Sequence, residues 1–249
     1  MLEANADWIG VARLYGEDGL ARLKAAHVLV AGVGGVGSWC VEALARTGVG
    51  ALTLVDGDRA DPSNVNRQLH ALVGNYGRQK VELMAERIAS ISNSIVVRQE
   101  NRFITKSNVE EIVLDGVDWV VDCIDDLGAK AALVAAARRR GIPVVSSGGA
   151  GARRRPECVK VEDLAFFRGD RLAAGLRARL RRDYGFPSAS TNRPKAFGIL
   201  CVGSDEQPRY AEGPDGGKVF GAGMVVTATV GLRLASIVIE AIAQGARRA

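Results

Sequence analysis

The sequence predicts an α/β protein built on a doubly wound, mostly parallel sheet, with a C-terminal α/β extension integrated into the same core. Three observations carry that prediction. Short apolar runs alternate with helical stretches along residues 1–150, the pattern of a parallel sheet covered on both faces. The run 27–31, HVLVA, leads directly into Gly32-Val33-Gly34-Gly35-Val36-Gly37, a G-x-G-x-x-G turn that opens a helix. A second apolar run, 51–55, ends in Asp56, about where an acid meets a ribose hydroxyl in Rossmann-like folds.

In chain order, residues 8–25 read as a charged helical lead-in containing Ala12-Arg13-Leu14-Tyr15-Gly16. Strand 27–31 and helix 38–46 follow, the helix aiming its free N–H groups and positive dipole end at an anion. After strand 51–55 comes a polar crossover, 57–70, long for a βα loop and rich in groups that bind rather than pack. Residues 77–92 form an amphipathic helix with Val81, Met84, Ala85, Ile88 and Ile91 on one side. A strand at 94–100 precedes a short helix, 107–114, with Ser107 and Glu110 as its capping box. Strand 119–124 ends in Asp122-Cys123-Ile124-Asp125-Asp126; helix 129–140 and strand 143–147 complete the nucleotide-binding core. The extension, 151–249, holds strands at 158–161 and 196–202, a basic helix at 170–182, a flexible loop near 183–196, a second loop at 203–218 and a final apolar helix. The whole chain, 1–249, is expected to form one unit.

Composition narrows the class. The 249 residues are 47% hydrophobic and 24% charged, ordinary for a globular protein. Lys+Arg number 33 against 28 Asp+Glu, a net charge of +5 that suits an acidic partner such as RNA. Cys40, Cys123, Cys158 and Cys201 stand apart with no C-x-x-C pair, so neither structural zinc nor a disulfide framework is expected, and a reducing, cytoplasmic setting fits. The N-terminus lacks an apolar signal core. Residues 224–243 are apolar enough to suggest a membrane span, but Arg233 and Glu240 interrupt them, and a buried core helix is expected instead.

The glycine turn alone would suit many nucleotides. Asp56, Asn64, Arg67, Lys80 and Asp125 narrow the choice, because they offer a ribose acceptor, donors for several phosphate oxygens, and a carboxylate for Mg²⁺. Such a set suits a triphosphate attacked at its α-phosphate, where cations and metal stabilise developing charge. This pattern resembles the adenylate-forming, ubiquitin-activating-type superfamily, HesA/MoeB/ThiF, through Gly32 to Gly37, Asp56-Gly57-Asp58, Ser63-Asn64-Val65-Asn66-Arg67-Gln68, Lys80 and Asp122-Cys123-Ile124-Asp125. The resemblance implies ATP binding by Gly32, Gly34, Gly35, Gly37, Asp56, Asp58, Asn64, Arg67, Lys80 and Asp125, with Mg²⁺ at Asp125. It implies catalytic roles for Arg67, Lys80, Asp125 and Arg13, the last reaching the partner's phosphates in a homodimer.

Within the superfamily the chain is most similar to bacterial tRNA threonylcarbamoyladenosine dehydratases, through 12–16, 34–39, 42–48, 64–72, 147–151 and 224–229. That similarity implies ATP-dependent adenylation of a threonine carboxylate on a tRNA adenosine, 3′ of the anticodon, followed by ring closure with loss of AMP. It makes tRNA the substrate. Two basic clusters, Arg153-Arg154-Arg155 and the helix bearing Arg177 and Arg181 one turn apart, are the expected phosphate contacts. Cys201, inside an apolar strand, is expected to pack rather than react. The alternatives are an activator of a ubiquitin-like sulfur carrier, which often carries two C-x-x-C pairs absent here, an NAD(P)-dependent reductase, and a non-catalytic partner of a cysteine desulfurase system.

Overall fold

A computed structural model describes residues 8–113, 116–188 and 195–245. The chain opens with α1 (Ile9–Ala25), which breaks at Gly16, where φ is +77°. Then follow β1 (His27–Ala31), α2 (Gly37–Arg46), β2 (Ala51–Val55), a 3-10 turn at Pro62–Asn64, α3 (Lys80–Ile91), β3 (Val96–Glu100), α4 (Val109–Ile112), β4 (Trp119–Asp122), α5 (Leu127–Arg139) and β5 (Val144–Ser147). The extension adds β6 (Val159–Asp163), α6 (Arg171–Tyr184), β7 (Leu200–Ser204), a small hairpin of β8 (Ala211–Glu212) and β9 (Lys218–Val219), and α7 (Met224–Ala243).

Among the described residues the main sheet has seven strands in the order β3-β2-β1-β4-β5-β7-β6. All pairings are parallel except β6 with β7, which is antiparallel. The strand order reverses between β1 and β4, and the crevice beyond that point is where open α/β sheets take ligands. β1 and β4 are buried on both faces, hence their continuous apolar runs.

The extension is welded to the first half. One core cluster joins Val30, Val41, Leu44 and Leu54 to Val226, Val230, Leu234 and Val238 of α7. The other joins Leu29 and Val120 to Leu176, Leu180 and Phe197. α7 is long and apolar enough to cross a membrane, but half of its apolar window is buried in this core.

Several boundaries differ from the sequence expectation. β7 begins at Leu200 rather than 196, and α6 continues to Tyr184, stopped by Gly185 at φ +69°. The short helix lacks the expected capping box: its N-cap is Asn108, whose carboxamide oxygen accepts from the Thr105 N–H at 2.8 Å, while Ser107 bonds the Thr105 hydroxyl. The loop expected near 183–196 lies in part outside the described residues, from 189 to 194.

Candidate functional site

The turn from β1 to α2 is set by backbone contact. Gly32 takes φ +81°, and a Cβ there would meet the Cys123 carbonyl oxygen at 2.9 Å. A Cβ on Gly37 would stand 1.8 Å from the Gly32 carbonyl oxygen, so no side chain fits at the start of α2. Gly37 is therefore a packing residue and does not line the cleft, unlike Gly32, Gly34 and Gly35. Arg67 lies across Gly35, its Cγ 3.1 Å from where a Cβ would be.

A cleft of about 1000 Å³ opens over the carboxyl ends of β2, β1, β4 and β5. Asp56, Asp58, Asn64, Arg67, Lys80 and Asp125 all line it. Asp56 accepts from the Val33 N–H at 2.8 Å and the Asp58 N–H at 2.9 Å, which ties the β2 end to the glycine turn. Burial pushes its carboxyl above the usual range, against the pull of those N–H groups and of Lys80. Lys80 opens α3 and is buried, its ammonium 2.8 Å from the half-exposed Asp58 carboxylate. Asn64 is buried at the end of the 3-10 turn, where it forms a reciprocal cap with Asp61. Arg67 donates to the Ser63 carbonyl and to Asn66, both at 2.9 Å. Asp125 is exposed at the cleft mouth, while Asp126 caps α5 by accepting from the Ala129 N–H at 2.8 Å.

Beneath this loop lies a network that the sequence reading missed. Lys130 of α5 is fully buried, 2.9 Å from the equally buried Asp122. Its ammonium also donates to the Ile124 carbonyl at 3.0 Å and the Ser147 hydroxyl at 3.4 Å. Asp122 accepts from the Ser146 hydroxyl at 2.7 Å and the Ile124 N–H at 3.2 Å. Burial raises the Asp122 carboxyl, opposed first by Lys130. The signal was a lone lysine inside the apolar run 127–137, one helical turn beyond the acidic strand end. Asp170 plays a similar role at β5: it accepts from the Gly149 N–H at 2.9 Å and the Ala173 N–H at 2.8 Å.

The other expected residues scatter. Arg13 is exposed on α1 and does not reach the cleft of its own chain. The basic helix presents no exposed Arg177–Arg181 face. Arg177 is buried, donating to the carbonyls of Leu164 at 3.2 Å and Phe167 at 2.8 Å. Arg181 donates to the Pro187 carbonyl at 3.0 Å and packs its guanidinium over the Phe197 ring. Their shared helix face is thus the one packed on the core, because α6 puts its long cationic stems over apolar neighbours. Arg153 is also buried, donating to the Gly169 carbonyl at 3.2 Å beside Asp170. Arg154 and Arg155 are exposed, their backbone N–H groups each 2.9 Å from the Glu206 carboxylate. Cys201 is buried in β7, and burial pushes its thiol up to about 12, so it is no nucleophile near neutrality.

The fold and the cleft define a nucleotide-binding protein built to handle a polyphosphate at a glycine turn. The ThiF family model matches residues 9–165, and the chain belongs to that family. Within it, the chain falls among the tRNA threonylcarbamoyladenosine dehydratases. The enzyme of that name from Escherichia coli K12 is 45% identical over 238 residues, 89% of this chain and 88% of that one. Its Haemophilus influenzae counterpart is 41% identical over 240 residues, 93% and 91% of the two chains. The crystal structure of the E. coli enzyme in complex with ATP superposes with a TM-score of 0.89 at 43% identity, covering 98% of this chain and 97% of that one. The complex with AMP gives 0.90 at the same identity and coverage. A SAMP-activating enzyme from Haloferax volcanii is 35% identical over only 130 residues, 52% of this chain and 48% of that one.

Two stability predictions follow from the buried polar groups. Lys130→Met leaves Asp122 as an uncompensated buried charge and should cost about 3–5 kcal/mol in denaturant unfolding, whereas Lys130→Met with Asp122→Leu should recover much of that loss. A single variant as stable as wild type would show that the pair carries no such constraint.

The second concerns His70, which is buried with neither ring nitrogen hydrogen-bonded among the described residues. Burial, aided by Lys80, lowers its pKa from 6.5 to about 4. Between those values the unfolded chain binds the proton and the folded chain does not. Stability is therefore full above pH 6.5 and falls as pH drops toward 4, by up to about 3 kcal/mol. His70→Gln should flatten that part of the stability–pH curve, and an unchanged slope would contradict the assignment.

Proposed function

We propose that this chain uses ATP to dehydrate and cyclise threonylcarbamoyladenosine in tRNA, at the position 3′ of the anticodon. One observation carries this reading. Asn64, Arg67 and Lys80 converge with Asp56 and Asp125 on one glycine turn, in a chain 43% identical to an enzyme solved with both ATP and AMP. A reductase would use the glycine turn and Asp56 but has no need of the three donors together. A sulfur-carrier activator is disfavoured because the chain matches the dehydratases over 89% and 93% of its length.

In this mechanism Asp56 takes the ribose. Its oxygens already accept from two N–H groups and keep lone pairs for a hydroxyl. Arg67, Asn64 and Lys80 bind phosphate oxygens, the two cations exchanging their present partners, Ser63 and Asp58, for the triphosphate. Asp125 is the residue that would hold Mg²⁺. The described residues contain no cluster of three or more metal-binding side chains, but Mg²⁺ on a nucleotide needs only one or two carboxylates beside phosphates and water, so the donor set fits. Bound there, the ion would neutralise charge on the phosphates.

A threonine carboxylate oxygen attacks the α-phosphorus and pyrophosphate leaves. A nitrogen or oxygen of the same side chain then attacks the acyl carbon, AMP leaves with the former carboxylate oxygen, and one proton is lost. The net change is removal of water, with no covalent enzyme intermediate, in keeping with the inert Cys201. The enzyme works as a homodimer in the cytoplasm, with Arg13 serving the partner's phosphates; its exposed place on α1 away from its own cleft supports that role. The chain acts as one ThiF-type unit, in keeping with its shared core.

The test is mass spectrometry of tRNA nucleosides after incubation with the protein, ATP and Mg²⁺. A product lighter by one water is expected, with AMP formed in equal amount. Arg67→Ala, Lys80→Ala and Asp125→Ala should each slow it about 100-fold or more. Mixing inactive Arg13→Ala with inactive Lys80→Ala should restore activity through mixed dimers. Unchanged tRNA would refute the reaction, and failure to complement would refute the shared site.

For RNA binding, Arg154 and Arg155 are the exposed members of their cluster. Their joint replacement by alanine should weaken tRNA binding and lower the slope of log affinity against log salt by up to about two, leaving ATP affinity unchanged. Equal slopes in a filter-binding titration would reduce them to a solvated surface.

A further inference from the structure

The two ends of the cleft differ. At one end stand Asp56 and Ile104, beside β2, where the ribose acceptor lies. At the other, beyond β5, the wall includes Phe220, Gly221 and Ala222, which directly follow the β8–β9 hairpin and which no role described above uses. This segment is fastened to the cleft rim at its base. Arg209 donates its N–H to the Ala152 carbonyl at 2.9 Å, Ala152 donates to the Gly221 carbonyl at 2.8 Å, and Asn66 donates to the Ala222 carbonyl at 2.9 Å. Phe220 lines the cleft yet is 64% exposed. A Cβ on Gly151 would meet its ring at 2.7 Å, so the glycine lets the ring lie against the backbone. Tyr210 packs edge-on to Phe220 at 6.4 Å and 87°. Arg171 and Lys218 each stand 6.0 Å from the centre of the Tyr210 ring.

A second hollow, about 370 Å³, adjoins the cleft and shares its Gly221–Ala222 wall. Arg153, Arg154 and Arg209 line it. Arg153 is buried with its guanidinium turned to the Gly169 carbonyl and Asp170, and its Nε has no hydrogen-bond partner among the described residues. An exposed ring beside an arginine-lined hollow is the combination that single-stranded RNA requires: a flat face for a base and cations for the adjoining phosphate. The nearby carboxylates offset only part of this charge. Asp170 stands 3.8 Å from Arg153, and Glu206, held by the N–H groups of Arg154 and Arg155, also faces the charge of Arg209, while Glu212 lies across the hairpin from Lys218 and Asp215 accepts from the Gly217 N–H at the hairpin turn.

We propose that Phe220, backed by Tyr210, is a stacking platform for a nucleobase of the RNA loop, and that the hollow formed by Arg153, Arg154 and Arg209 takes the phosphate next to that base. This deepens the dehydratase reading and rests on it for the identity of the RNA. An adenosine drawn out of its stack onto the ring at the β5 end would send its modified side chain toward the glycine turn. A chain lacking the platform would still bind ATP at the β2 end.

The experiment uses the full chain and an anticodon stem-loop RNA carrying threonylcarbamoyladenosine. RNA affinity, ATP affinity and turnover are measured for wild type, Phe220→Leu, Phe220→Trp and Arg209→Ala. Phe220→Leu should weaken RNA binding about tenfold or more, Phe220→Trp should stay within about twofold of wild type, and both should bind ATP as wild type does. Arg209→Ala should weaken RNA binding and lower its salt slope by about one. Phe220→Leu binding RNA like wild type, or losing ATP affinity instead, would overturn the platform. A wild type that binds the stem-loop through Phe220 yet never dehydrates it would support the platform and refute the reaction; one that turns it over with Phe220→Leu unimpaired would do the reverse.

Discussion

The buried pair of Asp122 and Lys130 is the constraint on which the site depends. β4 is the middle strand of the sheet and borders the crevice where strand order reverses. Its last residue is a fully buried carboxylate, and that charge persists only because an ammonium, a hydroxyl and a backbone N–H surround it. The same ammonium holds the Ile124 carbonyl and the Ser147 hydroxyl. One group thus ties the ends of β4 and β5 to α5 and sets the backbone that carries Asp125. A hydrophobic pair could fill the space, but it would not hold a carbonyl on one strand end and a hydroxyl on the next in fixed register. The buried charges contribute geometry more than stability.

A second constraint is steric. The Gly37 position sits against the Gly32 carbonyl, and Gly32 sits against the Cys123 carbonyl. Strand, turn and helix are therefore locked to the β4 loop by backbone alone. Asp56 closes the ring of contacts from β2 through the Val33 N–H. Backbone contacts and the Asp56 carboxylate shape the glycine turn, which lowers the ordering cost of binding. The cationic donors are different. Lys80 and Arg67 already hold internal partners, so a triphosphate must offer them more charge than Asp58, Ser63 and Asn66 do. That exchange favours a polyphosphate over a singly charged ligand.

The nucleotide half of the chain was legible in the sequence because its signals are local. A glycine turn, apolar runs with period-specific lengths, and an acid at a strand end each report on their own neighbourhood. The lysine at 130 was not legible, since its meaning depends on which strands lie beside α5. The arginines show the same limit from the other side. Helical spacing correctly put Arg177 and Arg181 on one face, yet that face packs inward, and no spacing rule says which side of a basic helix meets the core. The capping box at Ser107 failed because the helix starts one residue later: Asn108 stands at the N-cap without a side-chain bond to the helix, its oxygen taken by the Thr105 N–H. The hairpin at 211–219 is two residues per strand, too short for any alternation to appear.

These limits bear on how one fold serves different acceptors. The nucleotide end of the cleft is built from strand ends and a helix start, elements fixed by the core. The far end is built from a glycine run after β5 and a hairpin held by a few backbone hydrogen bonds. Loops attached this way tolerate change with little cost to the core. The nucleotide end thus rests on the geometry of the sheet, whereas the far end rests on the segment least anchored to it. Identity to the dehydratases that runs through both ends of the chain therefore says more about the acceptor than the glycine turn does.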